Sequence, residues 1–207
     1  MDKASFRHVR LNIDEAANEE QLRKQLGRTG LENGPRTGEN RRTSQSSEAY
    51  WMRRWLLSQV AMESLRFPVT VLHQDAPDFE VTESNSVYGL EFTEAAPAVD
   101  GKRRAASEVD RRPRFLYQDV GDSGGAGITQ GSKDLAVRQI QDAIRRKARK
   151  DYSAYTDIDL LIYPNSDAIM AAGLFGWIED CKTFPYDRCG FRRVFLCWSD
   201  EEIQLLQ

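Results

Sequence analysis

The sequence predicts an α/β fold, a mixed central sheet flanked by helices, and three observations carry that prediction. Short strand-like runs alternate with two long stretches of helical periodicity, "SEAYWMRRWLLSQVAMESLRF" and "SKDLAVRQIQDAIRRKARKDY". One of the runs, "DIDLLIY", is apolar almost throughout, which suits a central strand covered on both faces. The 207 residues suffice for one domain with a sizeable core plus a tail or a large insertion.

In chain order, residues 1–46 have too few apolar side chains to build a core, so they read as a flexible N-terminal lead in which "DEAANEEQLRKQL" could form a short helix. The domain itself is expected over 47–207. It begins with a helix that Ser47 could cap, with Met52, Trp55, Leu56 and Val60 on its apolar stripe, running up to Pro68. Tyr50, Trp51 and Trp55 could stack bases, but at helical spacing they read as core. "VTVLH" is a strand, and "PDFEVTESNSVYGLEFTEA" supplies two more, joined by "SNS" turn chemistry.

After Glu94 the pattern dissolves into a basic and glycine-rich insertion at about 95–131. Its "GDSGGAGITQGSKD" lacks the order of a phosphate loop and reads as a connection ending in a Ser132 helix cap. The helix that follows places Ala136, Ile140, Ala143 and Ile144 on one stripe. "DIDLLIY", a helix over "DAIMAAGLFGWIED" and a last strand "FRRVFLCW" complete the order.

The formal net charge of -3 excludes a globally basic protein, so any nucleic-acid contact must come from local patches. Cys181, Cys189 and Cys197 form no C-x-x-C pair and have no neighbouring histidine, and they read as buried free thiols. With no bilayer-length apolar stretch and no signal-peptide core, the chain is expected to be soluble, cytoplasmic and free of membrane contact. The oligomeric state is open, a dimer included.

The acidic strands raise the functional question. Strand alternation places Asp78, Glu80 and Thr82 on one face and Phe79 and Val81 on the other, while Gly89, Glu91 and Thr93 oppose Tyr88, Leu90 and Phe92. A plain wet face explains such acids in many sheets. Three carboxylates on neighbouring strands also repel one another, and a divalent metal is the usual compensation. Glu63 extends the stripe of Leu56 and Val60, and Lys147 extends that of Ile140, Ala143 and Ile144. Carboxylates with a lysine suit phosphodiester hydrolysis, in which a metal activates water and the ammonium orients it.

Pro77-Asp78, Glu91-Phe92-Thr93 and the order helix, three strands, helix, strand over about residues 48–198 resemble the PD-(D/E)XK, restriction-endonuclease-like nucleases. The resemblance implies a restriction-endonuclease-like αβββαβ core and a Mg2+ ion, with Mn2+ as a substitute, bound by Asp78 and Glu91 and joined by Glu63. The third motif position holds Thr93 where the family has lysine. A lysine migrated to the next helix would be Lys147, with Lys150 as second choice, and without either the chain would resemble the binding-only members. Gln139 could touch substrate or metal-bound water. The expected partner is nucleic acid, DNA favoured, with Arg145, Arg146 and Lys150 on the helix and Arg103 and Arg104 in the insertion as phosphate contacts. A protein-interaction domain whose acids are merely its wet face is the alternative outside nucleic-acid chemistry.

Overall fold

The computed structural model describes residues 10–31, 44–95, 130–164, 178–186, 189–197 and 203–207. Its elements run β1 (Ile13–Ala16), α1 (Glu19–Gly27), α2 (Ser44–Ala61), β2 (Val69–His73), β3 (Phe79–Glu83), β4 (Ser86–Ala95), α3 (Gln130–Lys147), β5 (Ile158–Pro164), α4 (Ile178–Lys182), β6 (Arg193–Cys197) and β7 (Ile203–Leu205). The fold is α/β with strands of both pairing senses, as the sequence predicts. The chain divides into two compact units, Met1–Glu91 with Tyr155–Asp157 and Phe92–Ala154 with Ile158–Gln207, so the boundary falls within β4.

In the first unit β1, β2, β3 and β4 pair antiparallel in sequence order. The expectation of a flexible lead does not hold for residues 10–31. β1 pairs with β2, opposing Ile13 to Val71 and Ala16 to Val69 across an irregularity. Leu11, Ile13, Ala16, Leu22 and Leu26 are buried. The composition is polar because α1 has only one apolar stripe and exposes the rest. Its start is locally encoded: Asn18 Oδ1 accepts from the Gln21 N–H at 3.0 Å, and Gln21 Oε1 takes the Ala17 N–H at 2.9 Å. Gln25 then donates to the Asp14 carbonyl at 3.0 Å, tying α1 to β1.

α2 starts at Ser44, so Ser47 lies inside the first turns and is buried rather than capping. The stripe of Met52, Trp55, Leu56 and Val60 is buried as expected, and Tyr50 and Trp51 join the core. Glu48 Oε2 lies 3.4 Å from Nε2 of the buried His73 on β2, whose ring stacks on Phe79 with centroids 4.3 Å apart. The helix stops at Ala61, well before Pro68.

In the second unit β5 runs parallel to β6, and β7 pairs antiparallel on the far side of β6. α3 packs against β5 and α4, with Ala136, Ile140, Ala143 and Ile144 all buried on the predicted stripe. It begins at Gln130, so Ser132, predicted to lie at its start, falls within the helix. Most of the helix expected over 167–180 lies outside the described residues, which begin again at Ile178 in the short α4. Cys181 and Cys197 are buried free thiols, whereas Cys189 is half-exposed. Among the described residues no helix is long and apolar enough to cross a membrane.

If residues 10–31 belong to the core, Leu22→Ala should cost about 2–5 kcal/mol, the range for emptying a fully buried leucine site. Lys24→Ala, two residues on and exposed, should stay within about 0.5 kcal/mol. Urea unfolding of the two variants checks this, and equal midpoints would return residues 10–31 to the role of a loose lead.

Candidate functional site

The β3–β4 hairpin builds the candidate site. β3 alternates as predicted, with Phe79 and Val81 fully buried and Glu80 and Thr82 part-exposed. Its turn closes with Glu83 opposite Ser86, and Ser84 takes a left-handed φ of 51°. β4 departs from the alternation, because Glu91 and Thr93 are buried as well as Tyr88, Leu90 and Phe92. Gly89 pairs with Glu80 on one side and donates to the Asp157 carbonyl at 2.9 Å on the other, so β4 is flanked along both edges there. A wet face therefore does not account for Glu91, which is 0% exposed.

The neighbouring acids sort into two groups. Glu83 is used within the hairpin, taking the Tyr88 hydroxyl on Oε1 and the Arg66 N–H on Oε2 at 3.3 Å. Glu80 accepts the Tyr155 hydroxyl at 2.7 Å, and that hydroxyl accepts from Gln74 Nε2 at 2.5 Å. Burial pushes the Tyr155 hydroxyl above the ordinary tyrosine range, and the Glu80 carboxylate beside it acts in the same direction. The Gln74 N–H also donates to the Asp78 carbonyl at 2.9 Å, closing the loop between β2 and β3.

Asp78 and Glu91 form the second group. Phe79 pairs with Leu90, so the same register carried one residue further sets Asp78 across from Glu91. Such cross-strand neighbours have Cβ atoms about 4.5–5.5 Å apart. Asp78 is 7% exposed. Two carboxylates opposed in a buried setting repel each other, and a shared proton or a divalent cation relieves the repulsion.

Glu63 requires a correction. It follows the end of α2 rather than extending its stripe: its N–H donates to the Val60 carbonyl at 3.0 Å, its φ is 53°, and it is exposed. The left-handed turn rotates it off the buried face. Among the described residues no three His, Cys, Asp or Glu side chains group to hold a metal. The protein's share of a metal site here would be the two carboxylates Asp78 and Glu91. That fits Mg2+, which keeps several waters and commonly takes one or two carboxylates plus substrate phosphate oxygens.

In the second unit, the cation that meets Thr93 is Arg146. Its Nη2 donates to Thr93 Oγ1 at 3.1 Å and to the Glu94 carbonyl at 2.9 Å. The sequence assigned Arg146 only to phosphate contact. Lys147 is half-buried at the end of α3, and Gln139 is buried within the helix. Arg145 pairs with Asp142 at 2.9 Å, and Lys150 is exposed just after the helix. Arg103 and Arg104 lie outside the described residues.

Two groupings escaped the sequence reading altogether. One is the Gln74–Tyr155–Glu80 chain, for which no local signal exists. The other is Asp159 on β5, fully buried and held by Arg192 and Arg193 through four contacts of 2.5–2.9 Å. A carboxylate inside "DIDLLIY" and the Arg-Arg pair beside "VFLC" were the available hints.

Tyr155→Phe should lower stability by about 1–2 kcal/mol, since it removes hydrogen bonds from a carboxylate and an amide. The folded hydroxyl titrates above the unfolded value of about 10, so its contribution is complete below that pH and is lost as pH rises through the raised value. Urea midpoints of wild type and variant should differ equally from pH 7 to about 10 and converge above it. A gap that stays unchanged above about pH 10 would disconnect the Tyr155 titration from the effect.

Comparison with known proteins found no matching family model, no matching curated protein and no matching solved structure, so any reading of this site rests on its own residues.

Proposed function

We propose that the protein is a metal-dependent nuclease of the PD-(D/E)XK type, hydrolysing phosphodiester bonds with DNA as the favoured substrate. The observation that supports this reading is the β3–β4 register, whose last pair is Phe79 with Leu90; carried one residue further it would set the buried Asp78 across from the buried Glu91. The order α2, β2, β3, β4, α3, β5 agrees with it. Asp78 and Glu91 would hold Mg2+ or Mn2+, and Glu63 is left out of the set. Bound there, the ion would activate water and stabilise charge on the phosphoryl group. Arg146, whose Nη2 donates to Thr93 Oγ1 at the third motif position, is the candidate for the positive charge that this position lacks. Being always protonated, it can stabilise an anion but cannot serve as a base. Arg145 and Lys150, both exposed, can contact the phosphate backbone.

A second reading is a nucleic-acid-binding module without turnover. The observation favouring it is Thr93 itself, a neutral side chain whose hydroxyl accepts from Arg146.

Incubating the purified protein with plasmid DNA, linear DNA and RNA, with and without Mg2+ or Mn2+, separates the two. For the nuclease, Asp78→Asn and Glu91→Gln should each lower cleavage by roughly 100-fold or more. Mg2+ at about 100 times its Kd should add about 2.7 kcal/mol to wild-type stability and nothing to the double variant. Retained DNA binding with no metal-dependent cleavage and no Mg2+ shift would select the binding module.

The cation has its own test. Arg146→Ala should reduce cleavage by about 100-fold, with Arg146→Lys recovering part of it and Lys147→Ala having the smaller effect. The reverse ranking would make Lys147 the migrated lysine.

A further inference from the structure

A cleft in the second unit is lined by Arg145, Ala148, Arg149, Phe184, Pro185 and Cys189, with a volume of about 360 Å³. Ligand sites usually run from about 300 to 1,000 Å³, so this one suits a single small group and not a duplex. Among the described residues its lining carries two guanidinium groups and no carboxylate, which favours an anionic ligand. The Arg145 guanidinium sits 5.3 Å from the centroid of the Phe184 ring, a cation–π contact that holds it in place. Its exposed pairing with Asp142 at 2.9 Å offsets little of its charge in water. Arg149 is exposed, on the turn just past α3.

The dipole of α3 puts its negative end here, which disfavours anions, but Arg145, Arg146 and Lys147 in the last turn outweigh that partial charge. Phe184, Pro185 and Ala148 give the cleft an apolar side beside the cations. A ligand matching both halves has an anionic head and a flat, weakly polar body. Phosphate takes arginine bidentately, and bases stack on aromatic rings and on guanidinium planes.

We propose that this cleft binds one nucleotide unit of a nucleic-acid strand, its phosphate on Arg149 and Arg145 and its base or sugar against Phe184 and Pro185. The choice of a nucleic-acid ligand rests on the proposed function, but binding here requires neither metal nor cleavage.

Cys189 provides a built-in reporter. It is half-exposed in the lining, while Cys181 and Cys197 are buried. The full-length protein is held in EDTA with a fluorescein-labelled oligodeoxythymidylate. Affinity is followed by anisotropy, and alkylation of Cys189 by N-ethylmaleimide is followed by mass spectrometry. Bound oligonucleotide should slow Cys189 alkylation by about tenfold, and Arg149→Gln should abolish that protection while flattening the slope of log affinity against log salt by about one. Thymidine monophosphate should protect at higher concentration, and thymidine should not.

An unchanged Cys189 rate at saturating oligonucleotide, or unaltered affinity and salt slope in Arg149→Gln, would overturn the proposal. So would protection by inorganic phosphate equal to that by the nucleotide, or protection by the monophosphate with none by the oligonucleotide. Loss of cleavage in metal with Cys189 protection intact would count against Asp78 and Glu91 alone, and the converse against the cleft alone.

Discussion

The pairing register of β3 with β4 decides which side chains of the first unit meet. Five pairs, from Glu83 opposite Ser86 to Phe79 opposite Leu90, fix it. Side chains alternate with a period of two, so a slip by one residue would send Phe79 and Val81 to the acidic face and pull Glu80 inward. The two fully buried side chains make that slip costly, at about 1.5–3 kcal/mol for each apolar group returned to water. The register that brings Asp78 and Glu91 toward each other is thus held by hydrophobic residues. The hydroxyl of Tyr88 on Glu83 and the N–H of Gln74 on the Asp78 carbonyl brace the two ends of the same hairpin.

Much of this was legible in the residues. Periodicity placed Ala136, Ile140, Ala143 and Ile144 on the buried stripe of α3, and alternation placed Phe79 and Val81 inside β3. What escaped depended on partners distant in sequence. Nothing local to Glu91 says that β4 is covered on its second edge, because the Asp157 carbonyl that meets Gly89 comes from far along the chain. Glu63 was misplaced for a different reason. Extrapolating a 3.6-residue period assumes the helix continues, and a left-handed residue after Ala61 leaves no mark in composition. For α1 the signal was present in Asn18 and Gln21, but average polarity outweighed it. At the end of α3, neighbouring helical residues differ by about 100° in direction, so a stripe argument favoured Lys147. The longer reach of Arg146 from the exposed flank brought it to Thr93.

The second unit invests differently in burying charge. Asp159 is wholly enclosed beside two arginines whose side chains stay about one-third exposed, at 32% and 30%. Arg193 faces Asp159 directly across the parallel β5–β6 ladder, and its guanidinium also lies 5.2 Å from the Phe195 ring centroid. Such a group adds little net stability over an apolar replacement of the same shape, yet removing one partner leaves a charge stranded, at a cost of about 3–5 kcal/mol. It constrains which residue faces which between β5 and β6, where uniformly apolar strands could slide.

Tyr155 and Asp157 complete the first unit, although the rest of it ends at Glu91. During translation the chain emerges at roughly 5–20 residues per second, so β4 waits several seconds for the segment that covers Gly89 and engages Glu80. Until then its outer edge is an unpaired row of amides and carbonyls, open to strands from other nascent chains. The exposed Leu72 on β2 and Val87 on β4 add to that hazard. Recombinant yield should therefore depend on elongation speed through codons 92 to 157 and on chaperones that bind extended segments, even with the mature sequence unaltered.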